Sequence, residues 1–318
     1  MKAPLTLALV LAAGLVAGCS RNAGNPLAPA NGTTGGGSGG ADDQTEVTGT
    51  MASVPDLMED GQFESADPTT VDGAPAGALA AIRPLSFYRN ITSVERRFEF
   101  AFADTDSTGR PTTAIVTVHK LLAGTFNIVV GPATDGVRDT SRLRVVRKRL
   151  ADHWVRRVLL KRVPPPPTLV ASEISRPRWR VAASSAVEVT SRAATTRIVS
   201  LEIKTATRDT VLTDPLVFFR LHQIMKFDAG EEVTLIATTE RSDDVVVLLR
   251  GRLRARFQNN GDNTYTLLWH APERRGLHHV GVNALSHGTL FDDVAPYDSK
   301  AWILPYVVSP AVLAEYMP

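Results

Sequence analysis

The stretch GLHHVGVNALSHGTLFDD, residues 276–293, gathers the densest set of chemistry-bearing side chains in the sequence. His278, His279 and His287 with Asp292 and Asp293 are the donor types of a zinc site. Ser286, His287 and either aspartate are the parts of a nucleophilic triad. The spacing argues against both. Adjacent strand residues point to opposite faces, so His278 and His279 cannot share an ion without a bulge, and nothing around Ser286 resembles a nucleophile elbow. A second set lies at DTDSTG, residues 104–109, where Asp104, Asp106, Thr108 and Gly109 occupy the first, third, fifth and sixth places of an EF-hand-type calcium loop. The twelfth place holds Ile115 rather than a glutamate, and the flanks alternate like strands. A polar hairpin turn is therefore expected there. No metal and no cofactor is implied, and an enzymatic alternative would have to draw on Asp104, Asp106 and His119. Residues His287 to Tyr297, long, polar and aromatic, make a candidate binding loop that includes Asp292, Asp293 and Tyr297.

Charge points to other candidates. The formal net charge is only +2, but its distribution is uneven. From Asp42 to Asp72 the chain carries nine acidic residues and no basic one, whereas Arg138 to Arg180 holds thirteen basic residues against three acids. The densest part, residues 142–163, contains Arg144, Arg147, Lys148, Arg149, Arg156 and Arg157. These form either the solvated basic face of a packed element or a surface for an anionic envelope polymer, glycolipid or protein. Nucleic acid fits poorly, because Trp154 stands without the interleaved aromatic platform of single-strand binders. A third reading has the acidic block folding back onto the basic one at high effective concentration.

The elements that must carry these residues follow a leader. Residues 1–18 have a basic start at Lys2 and an apolar run from Leu5 to Val16, too short for a membrane span of about 20 residues. The sequence LVAGCS then places small residues before Cys19, the only cysteine. This resembles the lipobox of bacterial lipoproteins. The resemblance implies cleavage before Cys19, acylation of that residue and membrane attachment through the acyl anchor, and Ser20 implies sorting to the outer membrane, on its periplasmic or surface side. Residues 19–80 are expected to be a flexible tether, Gly-rich and then acidic, with one short helical turn near Val54 to Glu59.

Beyond the tether, 43% hydrophobic composition supports domains built on apolar cores without disulfides. Residues 81–192 read as a β-rich or α+β domain. RRFEFAFAD (96–104) and TTAIVTVHK (112–120) are hairpin strands, GTFNIVVG (124–131) is a third strand, and WRVAASSAVEVTS (179–191) a fourth beyond the proline run at 164–167. A helix over 76–95 remains an alternative. The basic segment fits either helical spacing or two strands separated at LADH, with strands preferred.

Residues 196–308 contain FQNNGDNTYTLLWHAPERRGLHHVGVNAL, in which Asp262, Tyr265 and Trp269 follow a polar turn. This resembles the NGDGTYT…Y.P…G.Y.V.V pattern of filamin-type and bacterial surface immunoglobulin-like domains. It implies an antiparallel β-sandwich, with Asp262 and Tyr265 stabilising the corner where the chain changes sheet; Asn263 stands where the family has glycine. Residues 309–318 form a tail. The expectation is thus a mainly β, envelope-anchored lipoprotein with a binding or structural role. The alternative is an envelope hydrolase or accessory subunit with a site in residues 81–192.

Overall fold

The computed structural model describes residues 40–58, 68–71, 81–131, 143–163 and 179–308. The leader, Cys19, the Gly-rich stretch, the proline run and the tail at 309–318 lie outside them. The chain is mainly β, and all but one of the strand pairs among the described residues are antiparallel. Helices α1 (Ala41–Ala52) and α2 (Pro55–Met58) precede the short strand β1 (Thr69–Thr70) and four long strands: β2 (Pro84–Thr105), β3 (Pro111–Val130), β4 (Arg144–Arg162) and β5 (Trp179–Ser191). Then come β6 (Ile198–Lys204), β7 (Asp209–Leu212), β8 (Phe219–Arg220), a 3-10 turn at Leu221–Gln223, β9 (Met225–Phe227) and β10 (Glu232–Thr239). The C-terminal part adds β11 (Val245–Arg250), β12 (Leu253–Arg256), β13 (Gln258–Asn259), β14 (Thr264–His270), β15 (Gly276–Leu285), helix α3 (His287–Phe291) and β16 (Ser299–Val308).

The strands are longer than local patterning suggests. The two candidates at 112–120 and 124–131 are one strand, β3, and the LADH stretch is no break but the middle of β4. Of the described part of the alternative helix, residues 81–95, 84–95 are strand as well and none is helical. The reason lies in the pairing. Along β4, Val146, Leu150, Trp154, Val158 and Leu160 all face inward at even positions, so Asp152 is carried inward with them. The long β2–β3 pairing is interrupted by register shifts at Pro84/Ser86 and Ile91/Ser93. Opposite the second shift, a Cβ on Gly124 would collide with the Asn90 carbonyl, so only glycine lets the bulged strand approach.

One sheet runs β1-β2-β3-β4-β5-β16-β15-β11-β12, with β8 on β5 and β9 on β16; its two end strands come into contact, so it curls into a barrel-like wrap. Inside lie Phe87, Phe126, Ile128, Leu150, Trp154, Val189, Leu285 and Ile303. A second sheet, β13-β14-β10-β6-β7, packs on the outer face of β11, β15 and β16 in a sandwich-like arrangement. Leu201, Leu235, Tyr265 and Trp269 on one side meet Val246, Val280, Trp302 and Tyr306 on the other. Trp269 and Tyr306 make an edge contact at 5.3 Å. Because β5 pairs with β16, residues on both sides of the expected 192/196 boundary share the large sheet. β16 therefore serves both cores, its odd residue Ile303 facing the wrap and its even residues Trp302 and Tyr306 facing the sandwich.

The expected flexible tether is corrected for Ala41–Ala52, which form α1, while the short helical turn expected near Val54 to Glu59 is α2. Val47, Met51 and Leu57 are buried against Phe98, Phe102, Val116, Leu160 and Trp179 at the far end of the long strands. The apolar positions Val47 and Met51 are one helical turn apart, which aligns them on one face despite the acidic composition. The acidic block does fold back onto the basic segment: Asp43 pairs with Arg162, and Arg156 Nη1 donates to the Leu57 carbonyl at 2.8 Å. Arg162 also lies 4.8 Å over the Trp179 ring. The contact is largely apolar rather than a loose association of exposed charges.

Candidate functional site

The hairpin turn between β2 and β3 uses one oxygen of each of its two aspartates internally. Asp106 Oδ1 accepts from the Thr108 amide (2.8 Å), the Thr108 hydroxyl (2.6 Å) and the Arg110 amide (3.0 Å). Asp104 Oδ2 accepts from Thr113 Oγ1 at 2.6 Å and pairs with Lys161 at 3.4 Å. These bonds hold both carboxyls below the usual range. Thr108 and the two aspartates thus take part in the turn's own hydrogen bonding, as expected of a polar hairpin turn. His119 stands six residues beyond Thr113 on β3, roughly 20 Å along an extended strand, so Asp104, Asp106 and His119 are not brought together.

The cluster at 276–293 is also dispersed. His278 stacks on Tyr306 at 5.5 Å and its Nε2 lies 2.7 Å from the Arg274 carbonyl oxygen, while His279, the next residue on the strand, is buried on the other face. Ser286 is the N-cap of α3, accepting from the Thr289 amide at 3.2 Å, and His287 stacks on Phe291. Asp292 accepts from the Val294 and Ala295 amides. Among the described residues no three His, Cys, Asp or Glu side chains converge as a metal site.

The expected binding loop is tied to the barrel. Tyr297 turns inward, accepting from Arg89 Nη2 at 3.2 Å and donating to Asp152 Oδ2 at 3.1 Å. With the Asn283 amide oriented to suit its neighbours, its oxygen accepts from the same guanidinium at 3.1 Å. Lys148 Nζ donates to the carbonyls of Gly288 (2.8 Å) and Asp292 (2.6 Å). Burial pushes that amine down to about 8 against the pull of Asp292 and Asp293. Asp298 collects donors from Ser191, Thr195 and Thr196, which locks the β5–β6 link to β16.

Strand alternation splits the basic segment. Lys148 and Arg156 point inward, and Arg144 pairs with Asp293 at 3.3 Å at the strand's start. Arg157 lies 4.8 Å over the Phe218 ring. Arg147 and Arg149 remain exposed on the outward face, in one row with Ala151 and His153.

That row borders a feature that sequence patterning does not reveal. Next to the register shift at Ile91/Ser93 lies a groove of about 500 Å³, lined from β2, β3, β4 and the end of β5. Leu121, Ala123 and Ala151 line its floor, and Glu95, His153 and Arg192 stand at its rim. An exposed Leu121 beside two alanines on an outward sheet face is the one signal in the residues, visible only once the strand phase is known. At the groove's end His153 Nε2 lies 2.9 Å from His119 Nδ1, the rings nearly parallel at 13°. Glu99 lies 3.3 Å from His119 Nε2, close enough for an ion pair but not aligned as a hydrogen bond. Burial and the neighbouring His119 hold His153 below the ordinary imidazole range. The groove combines apolar floor, a cation, an anion and paired imidazoles, which suits binding of a chain-like or ring-bearing ligand. Compared with family models, with curated proteins and with solved structures, the chain matches none.

Proposed function

We propose that this chain is a lipid-anchored envelope protein that displays a β-rich binding unit, with an anionic envelope polymer as the ligand class. The observation that carries the reading is the continuous outward row Arg147, Arg149, Ala151 and His153, in which two exposed guanidinium groups lead into the groove floor. Guanidinium groups pair with carboxylate and phosphate oxygens, while Leu121 and the alanines accept the apolar faces of sugar rings. Attachment through Cys19, on the periplasmic or surface side of the outer membrane, rests on the leader and the LVAGC motif. The immunoglobulin-like reading of residues 196–308 draws on the turn at Asp262, which joins two paired strands of one sheet instead of the change of sheet expected there. Asp262 caps the Thr264 amide at 3.1 Å, Asn263 adopts the left-handed φ of 69° that the family gives to glycine, and the Tyr265 hydroxyl donates to the Arg241 carbonyl at 2.9 Å.

Two measurements test the proposal. Palmitate labelling in cells should be lost on Cys19→Ala, with the protein released to the soluble fraction; continued labelling would overturn the anchor. Binding of the full-length mature chain to an anionic polysaccharide should weaken at least tenfold in Arg147→Glu/Arg149→Glu. Equal binding by that variant would remove the ligand assignment.

A further inference from the structure

We propose that His119 and His153 form a two-histidine site for a divalent transition metal, of the zinc, nickel or copper class, on the outward face of the curved sheet. On the β3–β4 ladder His119 lies opposite Val155 and His153 opposite Leu121, so the two histidines are diagonal neighbours on one face. Their nitrogens approach to 2.9 Å and the ring centroids to 5.1 Å. Two imidazole nitrogens each about 2.1 Å from a tetrahedral zinc lie about 3.4 Å apart. Opening the pair by about half an ångström, within reach of a small χ2 rotation, therefore creates the bite that such an ion needs.

The neighbours favour this use of the pair. Glu99 lies 3.3 Å from His119 Nε2, so that a small realignment of the carboxylate would let it accept a proton held on that nitrogen. With the proton there, His119 Nδ1 would face His153 as a lone pair, the carboxylate–histidine–metal arrangement of many metal centres. The charged groups around the pair come from four strands. β2 supplies Glu95, Arg97 and Glu99, with Arg97 committed to Glu95 at 2.8 Å. β4 supplies Arg157, which lies over Phe218. β5 supplies Glu188, whose charge reaches His153, and β16 supplies Lys300, which holds Glu188 at 2.6 Å. Two protein ligands leave open positions beside the groove, where an anionic group of a bound polymer can complete the coordination.

The test is calorimetric titration of the tag-free mature chain, carrying Cys19→Ser so that the thiol does not compete, with ZnCl₂, NiCl₂ and CuCl₂. One saturable equivalent is expected. It should weaken at least tenfold in His119→Ala and in His153→Ala, and about 10–100-fold in Glu99→Gln. His287→Ala, on α3, should leave it unchanged. The copper complex should show hyperfine coupling to two nitrogens in its electron paramagnetic resonance spectrum, and thermal melts without metal establish that each variant is folded. Absence of a saturable equivalent, or binding that survives both histidine substitutions in folded protein, would overturn the proposal. Metal binding without polymer binding would leave this site standing and remove the function proposed above.

Discussion

The Tyr297 hydroxyl donates to Asp152 Oδ2 at 3.1 Å, joining residues 145 positions apart inside the barrel-like wrap. The same hydroxyl accepts from Arg89, so one phenol mediates between a buried cation and a buried anion. Desolvation raises the Asp152 carboxyl above its ordinary value, and Arg89 and Tyr297 offset part of that cost. The loop chosen from sequence as a binding surface thereby acts as a lock on the strands beneath it.

Tyr297→Phe removes this mediator and leaves Asp152 and Arg89 under-solvated. Urea unfolding should show a loss of about 1–3 kcal/mol. Arg89→Met, which strands the Asp152 charge, should cost more, about 3–5 kcal/mol. The ordering matters more than either value: a larger loss in Tyr297→Phe than in Arg89→Met would mean that the phenol, not the ion pair, organises the network.

Asp244 gives a pH dependence with the opposite sign to the usual carboxylate. The side chain is buried before β11 with neither oxygen in a well-formed hydrogen bond, and desolvation, offset in part by the nearby Thr239 hydroxyl, pushes its pKa up to about 7. Between the unfolded value near 4 and pH 7 the native state binds more protons than the unfolded chain, so this residue lowers stability as pH rises. Asp244→Asn should therefore stabilise at pH 8 by about 1–3 kcal/mol, allowing for partial solvent screening, and have little effect at pH 4. Thermal melts at the two pH values decide it; an equal shift at both would show that charge is not the cause.

The docked N-terminal helix separates apolar from ionic holding. Met51 is fully buried among Phe102, Trp179 and Leu160, so Met51→Ala should cost about 2–5 kcal/mol of docking or global stability. Screening should matter little, because the Asp43–Arg162 pair is mostly covered and the remaining seat is apolar. Protease cleavage within 41–58 should be slow at both low and high salt in the parent chain and fast in Met51→Ala. Rapid cleavage of the parent at high salt would show an electrostatic tether instead.

Which features were legible depends on how local their causes are. Alternation in RRFEFAFAD and TTAIVTVHK marks strands, and the turn chemistry of Asp106 and Gly109 marks the hairpin, because both act within a few residues. Tyr265 and Trp269 are core residues, as their pattern suggests. The docking of Val47 and Met51 was hidden because an acidic composition outweighs two apolar positions until Phe102 and Trp179 are placed beneath them. The basic block looked like one patch because charge counts ignore strand phase, which sends Lys148 inward and Arg149 outward. The His119–His153 pair spans 34 positions and exists only through the β3–β4 register, which no short window contains.

Lys148 provides the last test, because its inward turn is where strand phase overrides charge. Its amine donates to two carbonyls that close the α3 loop, and burial lowers its pKa to about 8, below the value near 10.4 of an unfolded chain. Between those two values the unfolded chain binds more protons than the native state, so this group makes stability rise with pH. Relative to Lys148→Met, the parent protein should gain on the order of 1 kcal/mol between pH 8 and pH 10.4, a figure reduced by the partial exposure of the amine. Below pH 8 the difference between the two should be flat. Chemical unfolding across that range gives the comparison; a difference that stays constant to pH 10.4 would mean that Lys148 keeps an ordinary pKa and that the two carbonyl contacts compensate its burial fully.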